Sequence, residues 1–117
     1  MKKLVLIFVL LVMAVPVFAQ SDYYRQKAEG YKREAAYYSQ KAVDYRREAS
    51  YYFRKAADYE NEASYYMRNG DVSRAQTQQR YAREATDKAN TQLRYALEAD
   101  QKATMYLSWA NDALRHY

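Results

Sequence analysis

The sequence predicts an all-α protein: an antiparallel two-helix coiled-coil hairpin with Ala/Tyr heptads, which we expect to associate into a four-helix bundle or a larger assembly. Three observations predict this fold. The motif YYxxKAxxYxxEAx is repeated every fourteen residues between residues 23 and 64. Alanine recurs every seven residues in both halves of the chain, and Asn69-Gly70-Asp71 divides the halves. Alternating spacings of three and four residues place alanine and tyrosine on one side of a helix.

The first 19 residues are predicted to be a secretory signal peptide. The cationic Lys2 and Lys3 precede an apolar run over residues 4–15, and Ala19 ends a stretch with small residues where a signal peptidase cleaves. The run is shorter than the roughly 20 residues of a spanning helix. We therefore expect cleavage after Ala19, export to the periplasm or extracellular space, and no integral membrane segment after cleavage. An uncleaved membrane anchor is the alternative.

Composition sets limits on residues 20–117, which we predict to form the helical hairpin. Without Lys2 and Lys3, 17 of the 19 basic residues remain against 14 acidic ones, so the net charge is +3. Because the two signs are interleaved, they indicate a solvated helix surface, and we expect no nucleic-acid partner. The absence of cysteine excludes disulfides and a lipid-anchored lipoprotein. Alanine and tyrosine largely replace Leu, Ile, Val and Phe, which predicts an apolar seam instead of a thick core.

Helix one is predicted over residues of about 22 to 68. Alanine takes position a of each heptad and tyrosine takes position d, so both lie on the side that faces the second helix. Position g alternates between lysine and glutamate, which doubles the period to fourteen residues. The predicted seam residues of helix one are Ala28, Tyr31, Ala35, Tyr38, Ala42, Tyr45, Ala49, Tyr52, Ala56, Tyr59, Ala63 and Tyr66.

The loop is predicted at residues 69–71, and helix two at about 72 to 116. Gly70 can adopt the left-handed conformation that ends a helix, and either Asp71 or Ser73 can cap the next one, with Gln76 as a capping-box partner of Ser73. A short loop between two long helices predicts an antiparallel pair. The predicted seam residues of helix two are Ala75, Ala82, Ala89, Ala96, Ala103 and Ala110.

Two patterns predict the register of the pair. A loop centred on Gly70 and Asp71 places each d tyrosine over an a alanine, and such matching of large to small side chains favours close packing. Charges predict a register five residues away, in which glutamates at position g meet cations and lysines at position g meet rings. In the first register Tyr66 faces Ala75 and Tyr31 faces Ala110. In the second register the glutamate–cation pairs are Glu62–Arg74, Glu48–Lys88 and Glu34–Lys102. Its lysine–ring pairs are Lys55–Tyr81, Lys41–Tyr95 and Lys27–Trp109.

Aromatic residues outside the seam form a candidate interaction face. Those at position c lie about 100° from the d row and cannot share its seam. We therefore expect further copies of the chain to cover this face. In the alternative, each c tyrosine stacks on the lysine four residues later, as Tyr37 would on Lys41, and the chain stays monomeric. The candidate residues are Tyr23, Tyr37, Tyr51, Tyr65, Tyr81, Tyr95 and Trp109.

The residue types argue against an enzyme. The single histidine, His116, lies next to the end of the chain, nucleophilic cysteine is absent, and the carboxylates fall into the heptad pattern. Neither a metal site nor a glycine-rich phosphate loop is predicted. We expect no cofactor.

The alanine spacing resembles the alanine zippers of bacterial outer-membrane murein lipoproteins, which are exported helices with a structural role. The chain departs from them because it lacks the lipid-bearing cysteine and because its sequence predicts a hairpin.

We expect a self-assembling structural protein whose partner is itself. One alternative is a binding module whose exposed tyrosines stack on a cell-wall or extracellular glycan such as peptidoglycan, and another is a stress chaperone.

Overall fold

The computed structural model describes the backbone of residues 2–115 and the side chains of residues 21–115. It contains two α-helices, α1 (Lys2–Arg68) and α2 (Val72–Arg115), and contacts between them run in antiparallel order. The predicted all-α two-helix hairpin is therefore confirmed. The helix α1 begins well before the predicted start near residue 22, and the side chains of the predicted signal peptide lie outside the described part. The coiled-coil heptad geometry and the four-helix bundle stay predictions.

Backbone hydrogen bonds end α1 at the predicted break. Gly70 has a φ of 78°, the left-handed region that favours glycine. The Asp71 N–H donates to the Tyr66 carbonyl at 2.9 Å, and the Gly70 N–H donates to the Met67 carbonyl at 3.1 Å. These two bonds form a Schellman motif, which satisfies carbonyls that the last turn of a helix would leave without partners.

Asp71 caps the start of α2. Its Oδ1 accepts a hydrogen bond from the Arg74 backbone N–H at 3.1 Å, and its backbone carbonyl accepts one from the Ala75 N–H at 3.1 Å. The Arg74 Nε lies 3.4 Å from Asp71 Oδ2. Of the two predicted caps, Asp71 and Ser73, the structure uses Asp71, which leaves only Gly70 and two flanking residues to reverse the chain.

The side chains buried within residues 21–115 are all alanines. Every alanine of the predicted seam is among them, so a stripe of methyl groups runs along each helix. The seam tyrosines of α1 are half-buried, with part of each ring in contact with water. Three further alanines of α2, at position d, are also buried: Ala85, Ala99 and Ala113.

Two compact units divide the hairpin. The first comprises Met1–Tyr37 and Lys102–Tyr117, and the second comprises Tyr38–Gln101 with the turn. In the first unit Ala28, Ala110 and Ala113 form a buried cluster against which Tyr31 packs. The first register predicted that Tyr31 faces Ala110, and both belong to this cluster. In the second unit α1 and α2 contact each other through pairs of side chains that lie at regular seven-residue steps.

Candidate interaction surface

Pairs of tyrosine rings join the helices in the second unit. Tyr45 and Tyr95 have ring centroids 5.5 Å apart with an interplanar angle of 56°, and Tyr59 and Tyr81 have centroids 5.5 Å apart at 55°. The α1 member of each pair is half-buried and the α2 member is exposed. The ring separation lies in the range of packed aromatic pairs, which contribute about 0.5–1.5 kcal/mol beyond the area they bury.

Cations occupy the layers that alternate with these ring pairs. The Lys88 Nζ lies 5.7 Å from the Tyr52 ring centroid, and the Arg74 Cζ lies 5.7 Å from that of Tyr66. From one of these contacts to the next, the α1 residue number rises by seven and the α2 residue number falls by seven. The d tyrosines of α1 thus meet a ring, a cation, a ring and a cation in turn. This alternation gives the fourteen-residue period a structural meaning, since the partners at position g of α2 repeat with the same period.

Three aromatic rings cluster in the first unit. Trp109 lies 5.6 Å from Tyr31 and 5.3 Å from Tyr106, and Tyr31 and Tyr106 are 6.1 Å apart, all measured between ring centroids. A groove of about 280 Å³ lies beside this cluster, and its lining includes Tyr31, Trp109, Lys27 and Asp112. The groove therefore combines flat apolar surfaces with one cation and one anion.

Exposed tyrosines at position c contact the d tyrosines that follow them in the sequence. The Tyr51 ring meets that of Tyr52 edge to face at 5.3 Å and 71°, and Lys55 Nζ lies 5.6 Å from the Tyr51 ring centroid. The pairs Tyr23–Tyr24 and Tyr65–Tyr66 have nearly the same edge-to-face geometry, and Lys27 lies over the Tyr23 ring. Within the second unit, we call Tyr51 and Tyr65 of α1 together with Tyr81 and Tyr95 of α2 the aromatic face.

The pKa of the Lys27 side chain reflects its two neighbouring tyrosines. Electrostatic attraction to the Tyr23 phenol group, and then to that of Tyr31, raises the pKa of the Lys27 ammonium above its usual range. The lysine stack of the monomeric alternative thus exists at Lys27 and at Lys55. It occupies only one side of each c ring, and Tyr23, Tyr51 and their counterparts remain about half exposed.

The second register is wrong at two of its glutamate–cation pairs. The predicted partner of Arg74 was Glu62, but Arg74 lies over the Tyr66 ring and beside Asp71. The predicted partner of Lys88 was Glu48, but Lys88 lies over the Tyr52 ring. The physical reason is the thin seam: alanines on both helices bring position d of α1 beside position g of α2, so the large ring contacts the cation. Lys27 and Lys55 lie over rings of their own helix, and each also lines a groove with its predicted partner, Trp109 or Tyr81. Arg80 Cζ lies 5.6 Å from the Tyr81 ring centroid.

Apolar side chains on the opposite side of the second unit form a second surface. Arg46 and Asp100 make an ion pair across the two helices there. Sequence analysis missed this pair, although opposite charges at position e of both helices were a usable signal. Exposed apolar residues flank it on the same helical stripes, which follow from spacings of three, four and seven residues. We call them the aliphatic face: Val43, Phe53, Leu93 and Leu97.

Residues 21–115 contain neither a metal-binding cluster nor a membrane-spanning stretch. Residues 21–115 contain no group of three or more His, Cys, Asp or Glu residues that could hold a metal ion. Over the same residues, neither helix has a stretch apolar enough, for long enough, to span a membrane. Comparisons with protein-family models, with curated proteins and with solved structures returned no match.

Proposed function

We propose that the chain is an exported structural protein of the cell envelope or extracellular space that assembles with copies of itself. The observation that carries this proposal is the distribution of apolar side chains. Within residues 21–115 the helices bury alanines, while sixteen larger hydrophobic side chains are exposed. Large patches of exposed apolar side chains mark interaction sites, and four of the sixteen lie on the aliphatic face.

The energetics favour association. Each buried methyl group contributes about 0.8 kcal/mol, and fully burying a leucine or phenylalanine contributes about 1.5–3 kcal/mol. Phe53 and Leu93 are each 40% exposed, so covering the remainder adds about 0.6–1.2 kcal/mol per side chain. This gain is available between copies, because the alanine seam leaves these side chains partly in contact with water. Periodicity supports the same conclusion: rings repeated every fourteen residues stand about 21 Å apart along a helix. Two copies shifted by one repeat present matching surfaces again.

The aliphatic face is the region where we expect the first contact between copies. Phe53 and Leu93 each lie seven residues from the Arg46–Asp100 ion pair, one on each helix, so both belong to the same side of the hairpin. Burying them against the same residues of a second hairpin would produce a four-helix bundle, with the ion pair between the apolar side chains of the interface. The aromatic face would then remain available for a larger assembly.

Analytical ultracentrifugation of the purified protein tests the proposal. We expect a mass of at least two chains that falls toward one chain on dilution. The double variant Phe53→Ser/Leu93→Ser should be monomeric at concentrations where the parent associates, with helix content unchanged by circular dichroism. Tyr65→Ser, which removes an even more exposed aromatic side chain from the other surface, is the control and should still form the dimer. A parent chain that is monomeric at every concentration would refute self-assembly.

A second candidate function is glycan binding, and the three-ring cluster of the first unit favours it. Flat rings at Tyr31 and Trp109 can stack on the apolar face of a sugar, and Lys27 and Asp112 beside them can bind its hydroxyl or carboxylate groups. A pull-down with purified peptidoglycan tests this function. Trp109→Ala should lose retention while Tyr65→Ala keeps it, and a parent chain that is not retained would end the proposal.

A further inference from the structure

The two tyrosine pairs of the second unit join helices that no disulfide can link. The sequence has no cysteine and fifteen tyrosines. Tyr45 with Tyr95 and Tyr59 with Tyr81 bring phenol rings of α1 and α2 to centroid distances of 5.5 Å. We propose that these pairs are sites of oxidative modification, at which dityrosine bonds link α1 to α2 within one chain.

The reaction is a two-electron oxidation. A haem peroxidase with hydrogen peroxide removes one electron and one proton from each phenol, which gives two phenoxyl radicals with spin density on the ring carbons next to the oxygen. These carbons join, and the hydrogen on each moves to its phenol oxygen as the rings regain aromaticity. One peroxide accepts the two hydrogens and becomes two water molecules. The chain thereby loses two hydrogen atoms for each bond formed.

The structure supplies the proximity that radical coupling needs. Both rings of a pair are anchored to helices whose seven-residue steps keep them opposite each other, so the reaction partners are already oriented. Tyr95 is 42% exposed and Tyr81 is 38% exposed, which leaves one ring of each pair accessible to an oxidant. Both pairs have the same tilted arrangement, with interplanar angles of 55–56°.

The alternation of layers makes the proposed linkage selective. Tyr52 lies under Lys88 and Tyr66 under Arg74, and these cationic partners cannot couple to a phenoxyl radical. Coupling across the helices in the second unit should therefore occur at Tyr45 and Tyr59 and skip the tyrosine between them. Because both rings belong to one chain, the linkage is independent of whether copies associate.

The experiment oxidises the dilute purified protein with a haem peroxidase and limiting hydrogen peroxide. We expect dityrosine fluorescence, a chain that still migrates as a monomer on a denaturing gel, and a mass lower by two hydrogens per bond. After tryptic digestion, residues 42–46 should be joined to residues 95–102, which identifies the Tyr45–Tyr95 bond. The linked protein should also unfold at a higher temperature, as expected when a cross-link restricts the unfolded chain.

Phenylalanine variants test which rings react. Tyr95→Phe should remove the first linked peptide and leave the second, and Tyr81→Phe should do the reverse if the two sites act independently. The double variant should lose both linked peptides, whereas other pairs such as Tyr31 and Tyr106 can still couple. Tyr51→Phe, which removes an exposed phenol hydroxyl outside both pairs, is the matched control and should leave both links in place. An oxidised parent chain that lacks both linked peptides, or in which tyrosine links occur only between copies, would overturn the proposal.

Discussion

Replacing Ala56 by glycine is expected to destabilise the hairpin about twice as much as replacing its neighbour Ala57. Both substitutions lie in the interior of α1, where glycine costs about 1 kcal/mol relative to alanine. The Ala56 side chain is only 5% exposed in the seam, whereas Ala57 is exposed. Losing a buried methyl group adds about 0.8 kcal/mol at Ala56. The free energy of unfolding should therefore fall by about 2 kcal/mol for Ala56→Gly and about 1 kcal/mol for Ala57→Gly.

Urea denaturation followed by circular dichroism at 222 nm measures both changes. All variants must be compared at one protein concentration, because association of copies adds to the apparent stability. The pair Ala35→Gly and Ala36→Gly repeats the test in the first unit, where Ala35 is buried and Ala36 is exposed. Equal losses for the buried and the exposed member of either pair would refute the alanine seam as the source of packing energy.

Three further predictions concern the turn and the charges. Gly70→Ala should destabilise the hairpin by about 1–2 kcal/mol, because the left-handed backbone at this position strains an L-residue. Gly30→Ala should stabilise it by about 1 kcal/mol, because alanine favours a helix interior and an added Cβ meets nothing within 4 Å there. The two melting temperatures should therefore shift in opposite directions, and shifts of the same sign would contradict the turn. Asp71→Ala should cost about 1 kcal/mol through loss of the N-cap, and an unchanged melting temperature would contradict that cap. The pKa of Lys27 is raised in the folded chain, so its interaction with the tyrosines stabilises the fold below the pKa of an unfolded lysine and is lost as pH rises through the raised value. An NMR titration should show that Tyr23→Leu lowers the pKa of Lys27. An unchanged pKa would contradict Tyr23 as the cause.

The helices, the turn and the alanine stripes follow from the sequence because each depends on local spacing. Alanine every seven residues specifies one side of a helix whatever lies opposite, and Gly70 beside Asp71 is a signal contained in a few adjacent residues. These features need no knowledge of the partner helix. The half-buried state of the d tyrosines also follows, since a seam of methyl groups is too thin to cover a whole ring.

The partners across the seam could not be predicted in the same way. Packing and charge suggested registers five residues apart, and long side chains such as Lys88 can reach either. The structure shows that Lys88 contacts the Tyr52 ring. Predicting this required the relative rotation of the two helices, which brings position d of α1 beside position g of α2. The Arg46–Asp100 pair was missed for a related reason: position e was considered one helix at a time.

The distance between residues 46 and 100 tests the hairpin most directly. Cysteines introduced at these two positions would be the only ones in the chain, so nitroxide labels attach nowhere else. In the hairpin the helix axes lie about 8–10 Å apart, which predicts spins within about 20 Å of each other by pulsed electron paramagnetic resonance. The two residues are 54 positions apart in sequence, so one uninterrupted helix would separate them by about 81 Å. A short distance that persists when labelled protein is diluted with unlabelled protein supports the account, and a long one contradicts it.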